Sequence, residues 1–476
     1  MADAITAKKE ENIAEWYQQV CLKAELADFS QVKGCMILRP NGYAIWKILQ
    51  DYFDEHINKK TGVRNAYFPL FIPESFFKRE QEHAKGFSPE VAWIDKTLTG
   101  DGERLAIRPT SETVMYDSYS QWIRSYRDLP LKINQWCNVV RWETEATKLF
   151  LRSREFLWQE GHCVYETKEE CEKETTRYIQ LYQSLCKELL ALPVLIGKKT
   201  EREKFKGADY TLTSEALMPD GKAVQFGTSH MLGQRFAKSF NIKFIGKDEK
   251  EHLPWQNSWG ISTRSIGAMV MVHSDNKGLV LPPRAAEHKA VIIPILIAGS
   301  EKKVLDKAKE LALILKAFNP ILDDRTEYAP GWKYTEWELK GIPLRIEIGP
   351  KDVAIEQVVL VRRDTGKKEF VKIKELDKKV KENLETMQKE MYEKAERTLK
   401  ENIVEVKNWD EFEKQIKNKK IAKAPFCCTS DCEDELKAKT EGVTARLIPF
   451  DEKIKKSKCI YCGKEAKEIV YFSRAY

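Results

Sequence analysis

The chain has 476 residues, 42% hydrophobic and 32% charged, a size and balance that predict a soluble protein of roughly two to four domains with large buried cores. Eighty Lys and Arg against 73 Asp and Glu leave a net charge of +7, an excess that tolerates a polyanionic partner without demanding one. The longest apolar run, AVIIPILIA at 290–298, is too short to span a bilayer, and the opening MADAITAKKEENIAEWYQQV has no apolar leader segment, so a cytoplasmic protein without membrane association is expected. The eleven cysteines of such a protein should be free thiols or metal ligands.

Residues 1–287, rich in Trp and Phe, form the first expected domain and hold every candidate catalytic cluster. RPTSET at 108–113 puts Thr110 and Glu112 in a polar turn. VVRWETEATKLFLRSREFLWQEGH at 139–162 has the pattern of a β-hairpin, yet it carries Arg141, Glu143, Arg152, Arg154, Glu155 and Glu160. Charges in a half-buried strand are costly unless each finds a partner. Residues two apart share a face of a strand, so Phe156, Trp158 and Glu160 line one surface and Arg141 and Glu143 point together. That surface offers a guanidinium fork for phosphate, carboxylates for an amino group and flat rings for a base, a recipe for holding a nucleotide. The competing reading is a strand pair with internal Arg–Glu bridges.

Further along, QFGTSH at 225–230 gathers Gln225, Thr228 and His230 around Gly227. NSWGISTRSIGAMVMVH at 257–273 runs from Ser258 through Gly260 and Ser262 to Arg264 and into an apolar helix. GLVLPPR at 278–284 reads as a closing strand with a proline stop. A second domain, 288–375, alternates strands and helices and predicts a compact α/β unit with a largely parallel sheet. The third, 376–476, opens on an amphipathic helix marked by Leu376, Val380, Leu384, Met387, Met391, Ala395 and Leu399, read as a connector.

Its remainder holds PFCCTSDC and SKCIYCG. Cys427 and Cys432 form a C-x4-C pair and Cys459 and Cys462 a C-x2-C pair, with 26 residues between the pairs, the spacing of a closed four-thiolate zinc site that leaves no position for substrate. Cys428 competes with Cys427 for one ligand place.

Taken together, these segments resemble the three signature motifs of class II aminoacyl-tRNA synthetases. YAIWKILQDYFDEHINKKTG with VRNAYFPLFIP is similar to the dimer-forming first motif, including Pro69; the 139–162 stretch resembles the second and GISTR the third. RPTSET, NQWCNVVRWE, FLWQEGH, GTSH and LVLPPR are more closely similar to the prolyl-tRNA synthetase family, of the archaeal and eukaryotic cytosolic type. The likeness runs from about residue 12 to Tyr476 and departs from the family pattern at Phe226, where a small residue is expected. Other class II enzymes, of threonyl or glycyl type, and a non-catalytic synthetase-like RNA-binding protein are the alternatives.

The resemblance implies an antiparallel catalytic sheet flanked by helices, an α/β anticodon-binding domain and a C-terminal α+β zinc-binding domain. It implies ATP-dependent activation of L-proline and transfer to its tRNA by a homodimer that uses Mg2+ and structural Zn2+. Arg141 and Arg264 would be catalytic. Arg141, Glu143, Arg152, Phe156, Gln225, Thr228, Ser262 and Arg264 would hold ATP. Thr110, Glu112, Arg141, Trp158, Glu160, His230 and Ser258 would hold proline, and Glu338, Arg345 and Lys351 the anticodon. Only 62 residues separate His162 from Gln225, too few for an inserted editing domain. A pocket discriminates a methylene by only ~1–3 kcal/mol, so some charging with alanine or cysteine is expected.

Overall fold

The computed structural model describes residues 4–81, 91–95, 102–142 and 146–476. At its centre is an eleven-stranded sheet. The hairpin Leu131–Val140 and Glu155–Tyr165 pairs antiparallel from Val140↔Glu155 to Leu131↔Val164. Beyond it come Trp255–Ser262, Lys222–Gly233, Tyr210–Leu217 and Leu195–Lys198, each antiparallel to its neighbour. The helix Lys168–Glu188 buries Cys171, Thr175, Tyr178, Tyr182 and Leu185, the three- and four-residue rhythm of one apolar face. Tyr178 stacks on Trp259 at 3.9 Å. A Cβ on Gly161 would come within 2.2 Å of the Trp259 ring, so the glycine is what lets the indole lie on the sheet. Burying each such large side chain contributes on the order of 1.5–3 kcal/mol.

The helix expected for the first motif spans Pro40–Phe53, with proline at its first turn, and continues through a π turn at Asp54–Asn58. Residues 290–372 form a second, five-stranded sheet that is mixed rather than largely parallel. Ala290–Pro294 runs parallel to Ile321–Leu322 and Leu344–Ile348, but the next two pairings are antiparallel. The reason is local: only the short helix Pro350–Ala354 and a turn link those last strands, and parallel neighbours require a longer crossover.

GLVLPPR forms no strand. Leu279 N donates to Leu339 O at 3.0 Å, Pro282 and Pro283 have no N–H to offer a ladder, and Pro283–Ala285 closes as a 3-10 turn. The amphipathic helix spans Leu376–Glu401 and buries all seven residues of its predicted stripe. It connects more than two units: Leu376, Val380 and Leu384 join the core of the five-stranded sheet, Met387 and Met391 pack with Ala191 and Val280, and Leu399 meets Ile421, Leu447 and Tyr471. Arg363 ties the second sheet to the catalytic unit by a fork onto Asp275 at 2.7 and 2.8 Å.

The C-terminal strands extend the central sheet. Val443–Pro449 pairs with Leu195–Lys198, and Glu468–Ala475 lies between Val443–Pro449 and Ile421–Phe426 while also touching Lys222 and Ala223.

Candidate active site

Strand register assembles the site. His230 opposes Ser258, which opposes His162; one step along, Thr228 opposes Gly260, which opposes Glu160. Side chains of one row share a face, and the missing side chain at Gly260 leaves room between its neighbours. The result is a cavity of about 510 Å3 lined by strand residues and by Pro109, Thr110 and Glu112. QFGTSH lies within the strand Lys222–Gly233, and Glu112 of RPTSET opens the helix Glu112–Trp122 rather than sitting in a turn. The arginine of that motif is structural: buried Arg108 donates to Asn138 O and Phe68 O at 2.9 and 2.8 Å.

Arg141 follows directly on the first hairpin strand. Its guanidinium stands 5.4 Å from both the Phe156 and Trp158 ring centres, and its Nε donates to Pro109 O at 3.3 Å. Arg264 begins the helix Arg264–His273 and donates through Nε to Leu151 O at 2.9 Å. Burial, and then the neighbouring charge of Arg141, lower its pKa to about 10. Two guanidiniums lining one cavity form a field for an anion.

Among the predicted nucleotide residues, Arg141, Phe156, Gln225, Thr228, Ser262 and Arg264 line the cavity. Arg152 does not; it is exposed on the hairpin loop, although its charge is felt at Arg264. Glu143 lies outside the described residues.

All the predicted proline residues, Thr110, Glu112, Arg141, Trp158, Glu160, His230 and Ser258, line the same cavity. Glu112 accepts from Thr110 Oγ1. Glu160 is buried and accepts from Ser111, from Gln135 Nε2 at 2.9 Å and from His162. Burial opposes its ionisation, but the His162 hydrogen bond and charge outweigh that and hold the carboxyl below its usual range. His230 is pushed the other way, to a pKa of about 3, by burial and then by His162 and Arg141, so its imidazole is neutral at physiological pH. Its Nδ1 lies 2.9 Å from Thr211 Oγ1.

Several lining residues were missed. His162 continues the Phe156, Trp158, Glu160 alternation and could have been found by counting one step further. Glu203, Lys204 and Phe205, in the polar loop EREKFKG, carry no periodic signal; Phe205 meets the His230 ring at 5.1 Å. Tyr476 does not line the cavity: its hydroxyl donates to Asp220 Oδ2 at 2.7 Å and Lys148 lies 4.9 Å from its ring.

Away from the cavity, Arg345 donates to Glu338 at 3.0 Å and Glu347 at 2.9 Å and lies over Tyr334, while Lys351 is exposed. The sulfurs of Cys427, Cys432, Cys459 and Cys462 lie within 4.8 Å of one another. A tetrahedral ion with Zn–S bonds of about 2.3 Å requires sulfur separations of roughly 3.8 Å. Cys432–Cys459 at 3.8 Å and Cys427–Cys462 at 3.7 Å fit. Cys428 is excluded from the set; its Sγ lies 3.8 Å from Phe426 O, and burial pushes its thiol pKa up to about 12.

An antiparallel sheet carrying a nucleotide-sized cleft between paired arginines, with an α/β domain appended, defines a class II aminoacyl-tRNA synthetase. Residues 96–273 match the tRNA synthetase class II core domain (G, H, P, S and T), and 289–383 the anticodon binding domain. Residues 409–476 match the prolyl-tRNA synthetase C-terminal domain, which sets aside the threonyl and glycyl alternatives. The chain is 49% identical over 471 residues to a proline–tRNA ligase of Clostridium botulinum (strain Kyoto / Type A2), covering 98% of this chain and 97% of the relative. It is 50% identical over 481 residues to that of Lachnoclostridium phytofermentans, covering 100% and 99%. The crystal structure of prolyl-tRNA synthetase from Cryptosporidium parvum, complexed with halofuginone and AMPPNP, superposes with a TM-score of 0.93 at 43% identity, covering 99% of this chain and 97% of that one. The chain belongs to the prolyl-tRNA synthetase family, enzymes that join proline to tRNA.

Proposed function

We propose that the cavity carries out both half-reactions of proline attachment. A carboxylate oxygen of L-proline attacks the α-phosphorus of ATP, the bond to the β-phosphate oxygen breaks, and pyrophosphate leaves. The 3′-terminal ribose hydroxyl of the tRNA then attacks the prolyl carbonyl and AMP departs. The first nucleophile is already ionised at neutral pH, so the chemistry needs positioning and charge neutralisation rather than a general base. Arg141 bridges the carboxylate and the α-phosphate, and Phe156 and Arg264 enclose the purine. Gln225, Thr228 and Ser262 complete the nucleotide site, with Glu143 on the adenine amino group and Arg152 toward the outer phosphates. Magnesium, when bound, neutralises phosphate charge that the arginines leave exposed.

Thr110 and Glu112 accept from the secondary ammonium of proline, and its ring lies against Trp158, flanked by Glu160, His230 and Ser258. The observation that carries this reading is Arg141 standing 5.4 Å from the Phe156 and Trp158 rings on one cavity with Glu112. Pyrophosphate exchange with each of the twenty amino acids tests it: proline should dominate, with weak alanine and cysteine signals. An enzyme equally active with a different amino acid would refute it.

Cys427, Cys432, Cys459 and Cys462 would hold a structural zinc, and Glu338, Arg345 and Lys351 would meet the anticodon. Residues 1–287, 288–375 and 376–476 would serve as catalytic, anticodon-binding and zinc-binding units. The functional form would be a cytoplasmic homodimer. In support, Tyr43, Tyr67 and Phe71, on and after the first-motif helix, are exposed, with Tyr67 70% accessible. Among the described residues, no helix is long and apolar enough to cross a membrane.

A further inference from the structure

The C-terminal sheet extension sends one charged side chain toward the catalytic unit. Arg446 sits at the register shift between Ala445 and Leu447, where the strand Val443–Pro449 carries one residue more than its partner. Bulges re-aim side chains. Arg446 donates to Glu215 Oε2 through Nη2 at 2.7 Å and Nε at 3.2 Å. Glu215 follows a second register shift, between Ser214 and Glu215, and stands directly opposite Gln225 of the nucleotide cavity.

The other oxygen of Glu215 accepts from Lys199 Nζ at 2.7 Å and Thr213 Oγ1 at 3.0 Å. All three ions are buried, Glu215 only 2% accessible. Buried charges on this scale are costly unless fully paired. The charge of Glu215 is felt at Arg264 together with those of the cations Arg141, Arg152 and Arg446. Gln225, opposite Glu215, lines the same cavity as Arg264, so a Glu215 carboxylate without its own partners would compete for that guanidinium.

We infer that Arg446 is a positioning residue for ATP: by saturating Glu215 together with Lys199, it keeps that carboxylate from capturing Arg264 and leaves the Arg264 guanidinium available to the nucleotide. Three charges of the cluster then sum to +1, which adds to the potential at the triphosphate rather than subtracting from it. The C-terminal unit thereby contributes to ATP affinity without touching ATP. The inference rests on the proposal that Arg264 faces the nucleotide.

The test is steady-state pyrophosphate exchange on the full chain, with active sites titrated and melting temperatures recorded. Arg446→Met should raise KM for ATP roughly fivefold or more with KM for proline within about twofold, and Arg446→Lys should recover most of the loss. The double variant Arg446→Met with Glu215→Gln should bring KM for ATP back toward the parent value, because the competing carboxylate is gone. A folded Arg446→Met enzyme with unchanged KM for ATP, or a double variant no better than the single one, overturns the inference. Arg264→Ala separates the two levels: if it leaves KM for ATP unchanged, the nucleotide role of Arg264 fails too; if it is impaired while Arg446→Met is not, only the role of Arg446 fails.

Discussion

His162 Nε2 lies 3.1 Å from Glu160 Oε2 in a pair that is almost fully buried, with Tyr116 OH 3.0 Å from the other ring nitrogen. For His162, burial opposes the charge, but the hydrogen bond to Glu160 and the charges of Glu112 and Glu160 outweigh it and raise the pKa above 6.5. A raised histidine stabilises the fold fully below its unfolded pKa and loses that contribution as pH rises through its folded pKa. Glu160, held below 4.5, loses its contribution as pH falls through its folded pKa. The difference in melting temperature between the parent and His162→Gln should therefore be largest near pH 6 and shrink as pH rises beyond 6.5 toward 9. Melts across that range check it; a constant difference would show that the pair is not charged.

Arg141→Ala and Glu112→Ala should each lower proline-dependent pyrophosphate exchange by more than about tenfold, the loss of ~1.4 kcal/mol of transition-state stabilisation. Circular dichroism on the same samples establishes folding. Unchanged exchange in a folded variant removes the residue from the proposed machinery.

Elemental analysis of protein purified without chelators should find about one zinc per chain, as a four-thiolate site requires. Cys459→Ser should lose the metal and lower the melting temperature, whereas Cys428→Ser should retain both, since the Cys428 thiol turns away from the other four. Zinc content that follows Cys428 instead would reassign the site.

Arg345→Ala should raise KM for tRNA by roughly tenfold, as expected for one lost base-edge contact worth ~1.4 kcal/mol, and leave pyrophosphate exchange untouched. Aminoacylation with saturating proline and ATP measures it. Equal charging of a tRNA with altered anticodon bases would count against this surface.

Much of the site was legible because alternation along one strand is a local signal: Phe156, Trp158 and Glu160 could be placed on one face without knowing what lay opposite. The cysteine spacing was legible for the same reason, but choosing Cys427 over Cys428 required the backbone, since Cys428 adopts φ +56° and directs its thiol elsewhere. The sequence misled where the outcome depended on distant partners. GLVLPPR has the composition of a strand, yet its Leu279 N–H is taken by Leu339 O. The union of the C-terminal strands with the catalytic sheet pairs residues more than two hundred positions apart, such as Gly197 and Pro449, for which no local pattern exists.

That union has a consequence during synthesis. The strand Glu468–Ala475 is inserted between two strands made before it, Ile421–Phe426 and Val443–Pro449. Until residue 475 has left the ribosome, both of those earlier strands present open backbone edges, and open edges recruit other chains. A nascent polypeptide whose strand Glu468–Ala475 has not yet emerged is thus sticky at the very place where the folded molecule is sealed.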